Sequence, residues 1–198
     1  QKRKKIKITA LIITLLMSGQ GVLYAQNNDT PVDHANQFGQ LYIQNKAGRI
    51  EPINTIANKV VVKITKKSSF NGLSANQVFH GMVTNPEKWK NETLIKVPEE
   101  SIQKAIGIDT DLASFNDFID QDGNYKLGTD VESAYQKKPA IRSKHDKGLI
   151  NVDERINVLY MTLNGSILKI FPIPNDANNK WISPSAYHNM MGHGNEKG

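Results

Sequence analysis

Two histidines, widely spaced in the sequence, are residues whose type and position could serve a cofactor. His80 falls near the end of a predicted helix, and His145 falls on the apolar stripe of a longer one. An imidazole on a helix can ligate haem iron. A lone helical histidine, however, is more often a partly buried side chain with ordinary hydrogen-bond partners. The sequence therefore leaves His80 and His145 as weak candidates for cofactor binding.

A second group of possible ligands lies at the C-terminal end. The segment YHNMMGHG places His188 and His193 on either side of two methionines, and imidazole and thioether groups suit soft transition metals. The spacing matches no coordination geometry, so His188 and His193 are weak candidates for a metal site in a flexible tail.

The remaining polar motifs do not indicate an enzyme. DQDGNY, from Asp120 to Tyr125, lacks the glycine and the glutamate that an EF-hand loop requires at its sixth and twelfth positions. No P-loop, nucleophile elbow or zinc-protease motif is present. The acidic and basic residues 153–155, DER, are predicted to lie on the solvated side of a helix, where they could pair with Asp146 and Lys147. We expect no catalytic residue in this chain.

The elements that would position such residues begin with a hairpin and a helix. LYIQ alternates apolar and polar residues, NKAG supplies a turn that contains Gly48, and GRIEPI supplies a second short strand. Ile53, Ile56, Val60 and Ile64 then recur at helical spacing.

Three further helices have recognisable signals. Ser74 and Gln77 have the spacing of a capping box, as do Thr129 and Glu132. Apolar residues recur in steps of three and four from 141 to 163, which predicts the longest helix, with His145 on its apolar stripe. The fold class is therefore mainly α: an irregular helical domain with a small N-terminal β-hairpin and a long C-terminal helix.

Charge and hydropathy divide the chain into a leader and a body. The first seven residues hold five of the 25 basic residues and no acid, which leaves 20 basic against 19 acidic residues in the remainder. A nearly neutral body excludes a basic nucleic-acid groove. Residues 8–25 carry no charge, so the leader is either a secretory signal or a membrane helix. The chain starts with Gln rather than Met, and we therefore expect the leader to lie within a longer membrane protein.

These patterns divide the chain into four parts. They are a membrane helix or signal segment at 1–25, a polar linker at 26–37, an extracytoplasmic helical domain at 38–184 and a flexible tail at 185–198. The absence of cysteine from the sequence excludes disulfides, thiol redox chemistry and a C-x-x-C-H haem attachment site.

Several separated segments resemble one known family. HANQFGQLYIQNKAGRIEPINTIA (34–57), FNGLSANQVFHGMVTNPEKW (70–89), VDERINVLYM (152–161) and LKIFPIPNDANNKWISP (168–184) are similar to cytochrome c biogenesis proteins of the fused ResB/CcsA type. Together these segments span most of residues 34–184.

The resemblance implies a part of a system II cytochrome c synthase. Such a complex presents haem to apocytochrome c at the periplasmic side of the bacterial cytoplasmic membrane. Its membrane-embedded ResB-like and CcsA-like parts would be the partners of this chain, and the haem would be handled by the whole complex. The family's tryptophan-rich haem motif is not in this sequence, so no haem ligand is carried over. The resemblance further suggests that the hairpin docks on the membrane partner.

The residues leave a second interpretation open. The chain could be an independent, secreted helical binding or adaptor domain, with a cleaved signal peptide and no role with haem. The two interpretations differ in the fate of the leader and in whether the chain is a piece of a longer membrane protein.

Overall fold

The structure is a computed structural model that describes residues 30–192. Regular structure in this range is mainly helical, as the sequence predicted. The α-helices are α1 (Val32–Gly39), α2 (Ile53–Thr65), α3 (Ala75–Thr84), α4 (Pro86–Trp89), α5 (Glu100–Ile106), α6 (Gly128–Gln136), α7 (Lys144–Leu163) and α8 (Pro184–Gly192).

The strands within the described range are short and pair in sequence as four antiparallel two-stranded sheets. Three-residue strands form only the first pair, which is the predicted N-terminal hairpin. The pairs are β1 (Tyr42–Gln44) with β2 (Ile50–Pro52), β3 (Ser69–Phe70) with β4 (Leu73–Ser74), β5 (Ile95–Lys96) with β6 (Leu112–Ala113), and β7 (Phe171–Pro172) with β8 (Trp181–Ile182).

The first hairpin and α2 form as their sequence predicts. Gly48 lies in the turn with φ of 79°, a conformation that glycine adopts without strain. Pro52 ends β2 and precedes α2 directly, since its fixed φ suits the start of a helix. Ile53, Val60 and Ile64 then lie on the buried face of α2.

Helix α1 corrects the prediction of a linker at 26–37. Residues 32–37 belong to the helix, and Ala35 and Gly39 are buried against the rest of the chain. Helix α1 packs on α2 and α3. Pro31 and the surrounding polar residues suggested a loop, but Pro31 is the residue that caps this helix.

One predicted capping box is confirmed and the other is wrong. Ser74 accepts the backbone N–H of Gln77, and the Gln77 side chain accepts the Ser74 backbone N–H, so α3 begins there. Helix α6 has Leu127 at its N-cap and no side-chain cap, so Thr129 and Glu132 do not form a box.

The longest helix starts later than the apolar spacing predicted. Residues 139–141 form a separate 3₁₀ turn, and Ile141 is 70% exposed. Ser143 caps α7 through reciprocal hydrogen bonds with Asp146, at 3.0 and 2.8 Å. The capping partner is Asp146, whereas the usual capping box has glutamate or glutamine at the third helical position. The start of α7 therefore has no standard capping signal in the sequence.

The core lies between α2, α3 and α7. Helix α2 packs on both α3 and α7, while α6 packs on α7. The largest fully buried side chains come from most of these elements and include Phe79, Met82, Phe118, Ile53, Ile64 and Leu159.

The C-terminal residues depart from the predicted tail. Residues 184–192 form helix α8, while His193 and the residues after it lie outside the described range. No helix within 30–192 combines the length and the apolar character needed to span a bilayer. The leader at 1–25, with its prediction of a membrane helix or signal segment, also lies outside the described residues.

Candidate functional site

A groove of about 560 Å³ lies between the first hairpin, α2 and the C-terminal half of α7. Its volume falls in the range of roughly 300 to 1,000 Å³ that is typical of small-molecule sites. The residues that line it are Ile43, Gln44, Asn45, Lys46, Ala47, Glu51, Ile56, Lys59, Val60, Lys63, Val158, Met161, Ser166, Ile167 and Lys169.

The groove has an apolar floor because two helices present adjacent apolar residues to it. Ile56 and Val60 are four residues apart on α2, and Val158 and Met161 are three residues apart on α7. These spacings put each pair on one face of its helix. Ile167, from the segment after α7, completes the floor. Methionine at 161 supplies the only sulfur atom among the lining residues.

The rim of the groove is basic. Of its four lysines, Lys59 pairs with Glu51 at 2.7 Å and Lys63 pairs with Glu154. The hydrogen bonds that Lys59 and Asn45 donate to Glu51 lower the pKa of that carboxyl below its usual value. Lys46 and Lys169 have no acidic partner among the described residues.

Gln44 fixes the wall of the groove that the hairpin forms. Its side-chain nitrogen donates to the carbonyls of Gly48 and Asn179, and its side-chain oxygen accepts the backbone N–H of Trp181. Its backbone N–H donates to the carbonyl of Lys169 at 3.0 Å. The hairpin is therefore tied to the C-terminal segment that supplies Lys169.

His80, the first predicted ligand, does not line this groove. It is 6% exposed, and its ring centroid lies 4.7 Å from that of His34 and 5.1 Å from that of Phe38. Its Nδ1 is buried without a hydrogen-bond partner in the described part of the chain. Burial, and then the proximity of His34, lower the pKa of His80. At neutral pH its ring is therefore an uncharged packing group.

His145, the second predicted ligand, was wrongly placed on the buried stripe. It lies in the first turn of α7 with an exposed side chain. Its Nδ1 is 3.2 Å from Ser101 Oγ and 3.4 Å from Glu99 Oε2. A serine-histidine-acid relay requires the two partners on opposite ring nitrogens. Here both partners meet Nδ1, so the cluster does not have that arrangement.

The predicted C-terminal metal ligands have no supporting cluster. His188 lies on α8 and is exposed. No group of three or more potential metal-ligating side chains occurs within residues 30–192. His193 lies outside that range, so its prediction stays a prediction.

The prediction of a solvated face at 153–155 is wrong. Asp153 and Arg155 are 8% and 6% exposed, and of the three residues only Glu154 reaches solvent. Asp153 accepts hydrogen bonds from Tyr135 at 3.2 Å and from Asn157 at 2.9 Å. Arg155 donates to the backbone carbonyl of Lys96. Both charges are therefore part of the packing of α7 against α6 and β5.

Comparison with known proteins finds similarity to one much longer protein. No family model matches the chain. Over 147 residues, which are 74% of this chain, it is 42% identical to Protein NrfI of Wolinella succinogenes. The match spans 16% of that protein, so the chain corresponds to about a sixth of its length. The similarity therefore covers only the matched 147 residues and not the rest of Protein NrfI.

Proposed function

We propose that this chain is an extracytoplasmic part of a bacterial cytochrome c assembly protein of system II. It would support the presentation of haem to apocytochrome c and the attachment of haem to it, without catalysing a reaction by itself. The observation that carries the proposal is the 42% identity to Protein NrfI over most of the chain. That similarity supports a role in cytochrome c maturation.

The motif resemblance supports the finer part of the proposal. The segments that resemble the fused ResB/CcsA proteins supply the first hairpin, α3 and the second half of α7. The first hairpin and the second half of α7 are two of the elements that line the groove. In this proposal the partners are membrane-embedded ResB-like and CcsA-like parts and apocytochrome c, and the described domain faces the periplasm at the cytoplasmic membrane.

The structure offers a physical basis for a binding role. Its cavity has an apolar floor and a basic rim, and of the predicted histidines that the structure describes, His80, His145 and His188, none lines it. A surface of this kind holds a ligand or a peptide through apolar contact and charge. The domain would therefore hold or orient a partner while other parts of the complex carry out the attachment.

Deletion in the encoding bacterium tests this proposal. Codons 30–192 are removed in frame, and covalently bound haem in c-type cytochromes is measured by haem staining after denaturing electrophoresis. We expect loss of the stained cytochromes while the apocytochrome polypeptides are still made. A matched strain that lacks only codons 193–198 shows whether any in-frame deletion at this locus affects the cytochromes. Normal haem staining in the deletion strain would contradict the proposal and favour a secreted binding domain without a haem role.

A further inference from the structure

The groove combines two properties that select the chemistry of its ligand. Its floor consists of Ile56, Val60, Val158, Met161 and Ile167, which favour an apolar body in contact with them. Its rim carries four lysines and one acid. The complementary ligand is therefore amphipathic, with an apolar body and anionic groups at its edge.

Of the four rim lysines, two have no acidic partner among the described residues and can therefore pair with an anionic ligand. Glu51, the only acid that lines the groove, is already bound by Lys59 and Asn45. Lys63 is bound by Glu154. Lys46 and Lys169 are thus the rim cations that can meet a ligand carboxylate without breaking an existing ion pair between described residues.

The backbone places these two lysines near each other. The N–H of Gln44 donates to the carbonyl of Lys169, and Lys46 follows Gln44 by two residues in the same hairpin. The side chain of Gln44 further ties this hairpin to residues 179 and 181. The two charges are consequently held on one connected wall of the groove, with the apolar floor beside them.

We propose that this groove binds haem through its porphyrin ring and its two carboxylates. The choice of a tetrapyrrole among amphipathic anions rests on the proposed function, whereas the apolar and anionic requirements come from the groove. Lys46 and Lys169 pair with the carboxylates, and the ring lies on the floor. Met161 is the lining residue with a soft thioether donor, a group that serves as an iron ligand in haem proteins.

A pair of probes separates the carboxylate contacts from the apolar contacts. The full 198-residue chain in detergent is titrated with metal-free protoporphyrin IX and with its dimethyl ester, and quenching of tryptophan fluorescence gives the Kd. Partition of the porphyrin into detergent is common to all variants and cancels in their comparison. The preference of the wild-type chain for the free acid, taken as the ratio of the ester Kd to the acid Kd, is expected to exceed that of a variant without the two lysines by about fivefold to tenfold, since two partly exposed charge pairs contribute under about 1 kcal/mol each.

Variants on the rim assign this preference to the two lysines. The double variant Lys46→Ala/Lys169→Ala is expected to lose this part of the preference for the acid and to bind the ester as tightly as the wild type does. Lys147→Ala, an exposed lysine of α7 outside the groove, is the matched control and is expected to keep the preference. An unchanged preference in the double variant would overturn the proposal.

A steric variant tests occupation of the groove itself. Ala47 is exposed and lines the groove, so Ala47→Trp should fill it and abolish binding of both probes. Ala105→Trp, at an exposed position on α5 that does not line the groove, is the control. Full binding by Ala47→Trp would overturn the proposal. So would displacement of protoporphyrin by equimolar oleate, which would assign the groove to fatty acids.

The porphyrin titration tests the groove assignment and the gene deletion tests the proposed function, so each can be rejected without the other. Loss of cytochrome c on deletion, together with no binding of porphyrin, rejects the groove assignment alone. Binding of porphyrin with normal cytochromes in the deletion strain rejects the proposed function alone.

Discussion

The side-chain oxygen of Gln44 accepts the backbone N–H of Trp181 at 2.8 Å, across 137 residues of sequence. The nitrogen of the same amide donates to the carbonyl of Asn179 at 2.9 Å. Gln44 is 7% exposed. One buried amide therefore joins the first hairpin to the last one and fixes one wall of the groove.

Replacement of this amide should destabilise the fold. Gln44→Ala removes the buried amide that pairs with the Trp181 N–H and the Asn179 carbonyl, and loss of a buried hydrogen-bonding partner costs about 1 to 3 kcal/mol. We expect a loss of this size in the free energy of unfolding, measured by urea denaturation. Gln40→Ala, at an exposed position on the same segment, is the control. Equal stability of the two variants would show that the bridge contributes nothing.

The sequence predicted correctly those turns and helix starts that are determined by residues close together in the chain. Gly48 marked the first turn, and Ser74 with Gln77 marked the start of α3. Both features are decided within about four residues, by backbone conformation or by a local hydrogen bond. The N-terminal hairpin, α2 and the mainly helical class followed from such signals.

Two of the errors arose where distant contacts decide burial. Asp153 and Arg155 were predicted to be exposed because isolated charges usually are, yet Asp153 accepts hydrogen bonds from Tyr135 and Asn157 inside the protein. Arg155 donates to the carbonyl of Lys96, while its Nε is buried without a partner among the described residues. His145 matched an apolar spacing but lies in the exposed first turn of α7.

The groove could not be predicted because it has no local signature. Its walls come from residues 43–47, 56–63 and 158–169, which meet only in the folded chain. Nothing in the spacing of Lys59 and Lys63 distinguishes them from ordinary surface residues of a helix. An apolar residue such as Met161 gave no sign that it borders a cavity.

A glycine in α3 is required by a close contact with Trp89. A Cβ atom at Gly81 would lie 2.5 Å from Nε1 and 2.9 Å from Cε2 of the indole, which is 5% exposed. Gly81→Ala should therefore lower the free energy of unfolding by about 1 to 3 kcal/mol through overpacking, despite the better helix propensity of alanine.

Gly128→Ala provides the matched measurement for this prediction. A Cβ atom at Gly128, also in a helix, would meet only Tyr125 Cδ1 at 3.9 Å. We expect no loss of stability there in thermal or urea unfolding. If Gly81→Ala is as stable as Gly128→Ala, the indole is not packed as tightly as the structure describes.

The capping aspartate of α7 should make stability depend on acid pH. Hydrogen bonds from Lys137, and then from Ser143, lower the pKa of Asp146 to about 2. Its ordinary value is 3.8, so the unfolded chain takes up the proton first as pH falls. The stabilisation by the carboxylate is present above pH 3.8 and is lost as pH falls toward about 2.

Comparison of Asp146→Asn with the wild type measures this effect. The variant should have a lower urea midpoint at pH 6, and the difference should shrink steadily between pH 4 and pH 2. Asp109→Asn, at an exposed position, should show no such difference at pH 6. A gap between Asp146→Asn and the wild type that stays constant over this pH range would contradict the assignment.

Buried His80 should make the folded state less stable as pH falls below 7. The pKa of His80 is lowered in the folded protein, mainly by burial and further by His34. The unfolded chain therefore binds a proton below about pH 6.5 while the folded chain does not yet, and the folded state loses stability as pH falls from 7 to 5. His80→Phe keeps an aromatic ring and should flatten this part of the pH profile. His188→Phe, on exposed α8, should leave the profile unchanged, and a flat profile for the wild type would refute the prediction.

The most direct test of the account is a titration of the full chain with haem, followed by Soret absorbance. The account predicts saturable binding that is weakened about fivefold to tenfold in Lys46→Ala/Lys169→Ala and is unchanged in His80→Ala and His145→Ala, with folding of each variant verified by thermal unfolding. Loss of binding in either folded histidine variant, with the lysine variant unchanged, would contradict the account and place the haem away from the groove.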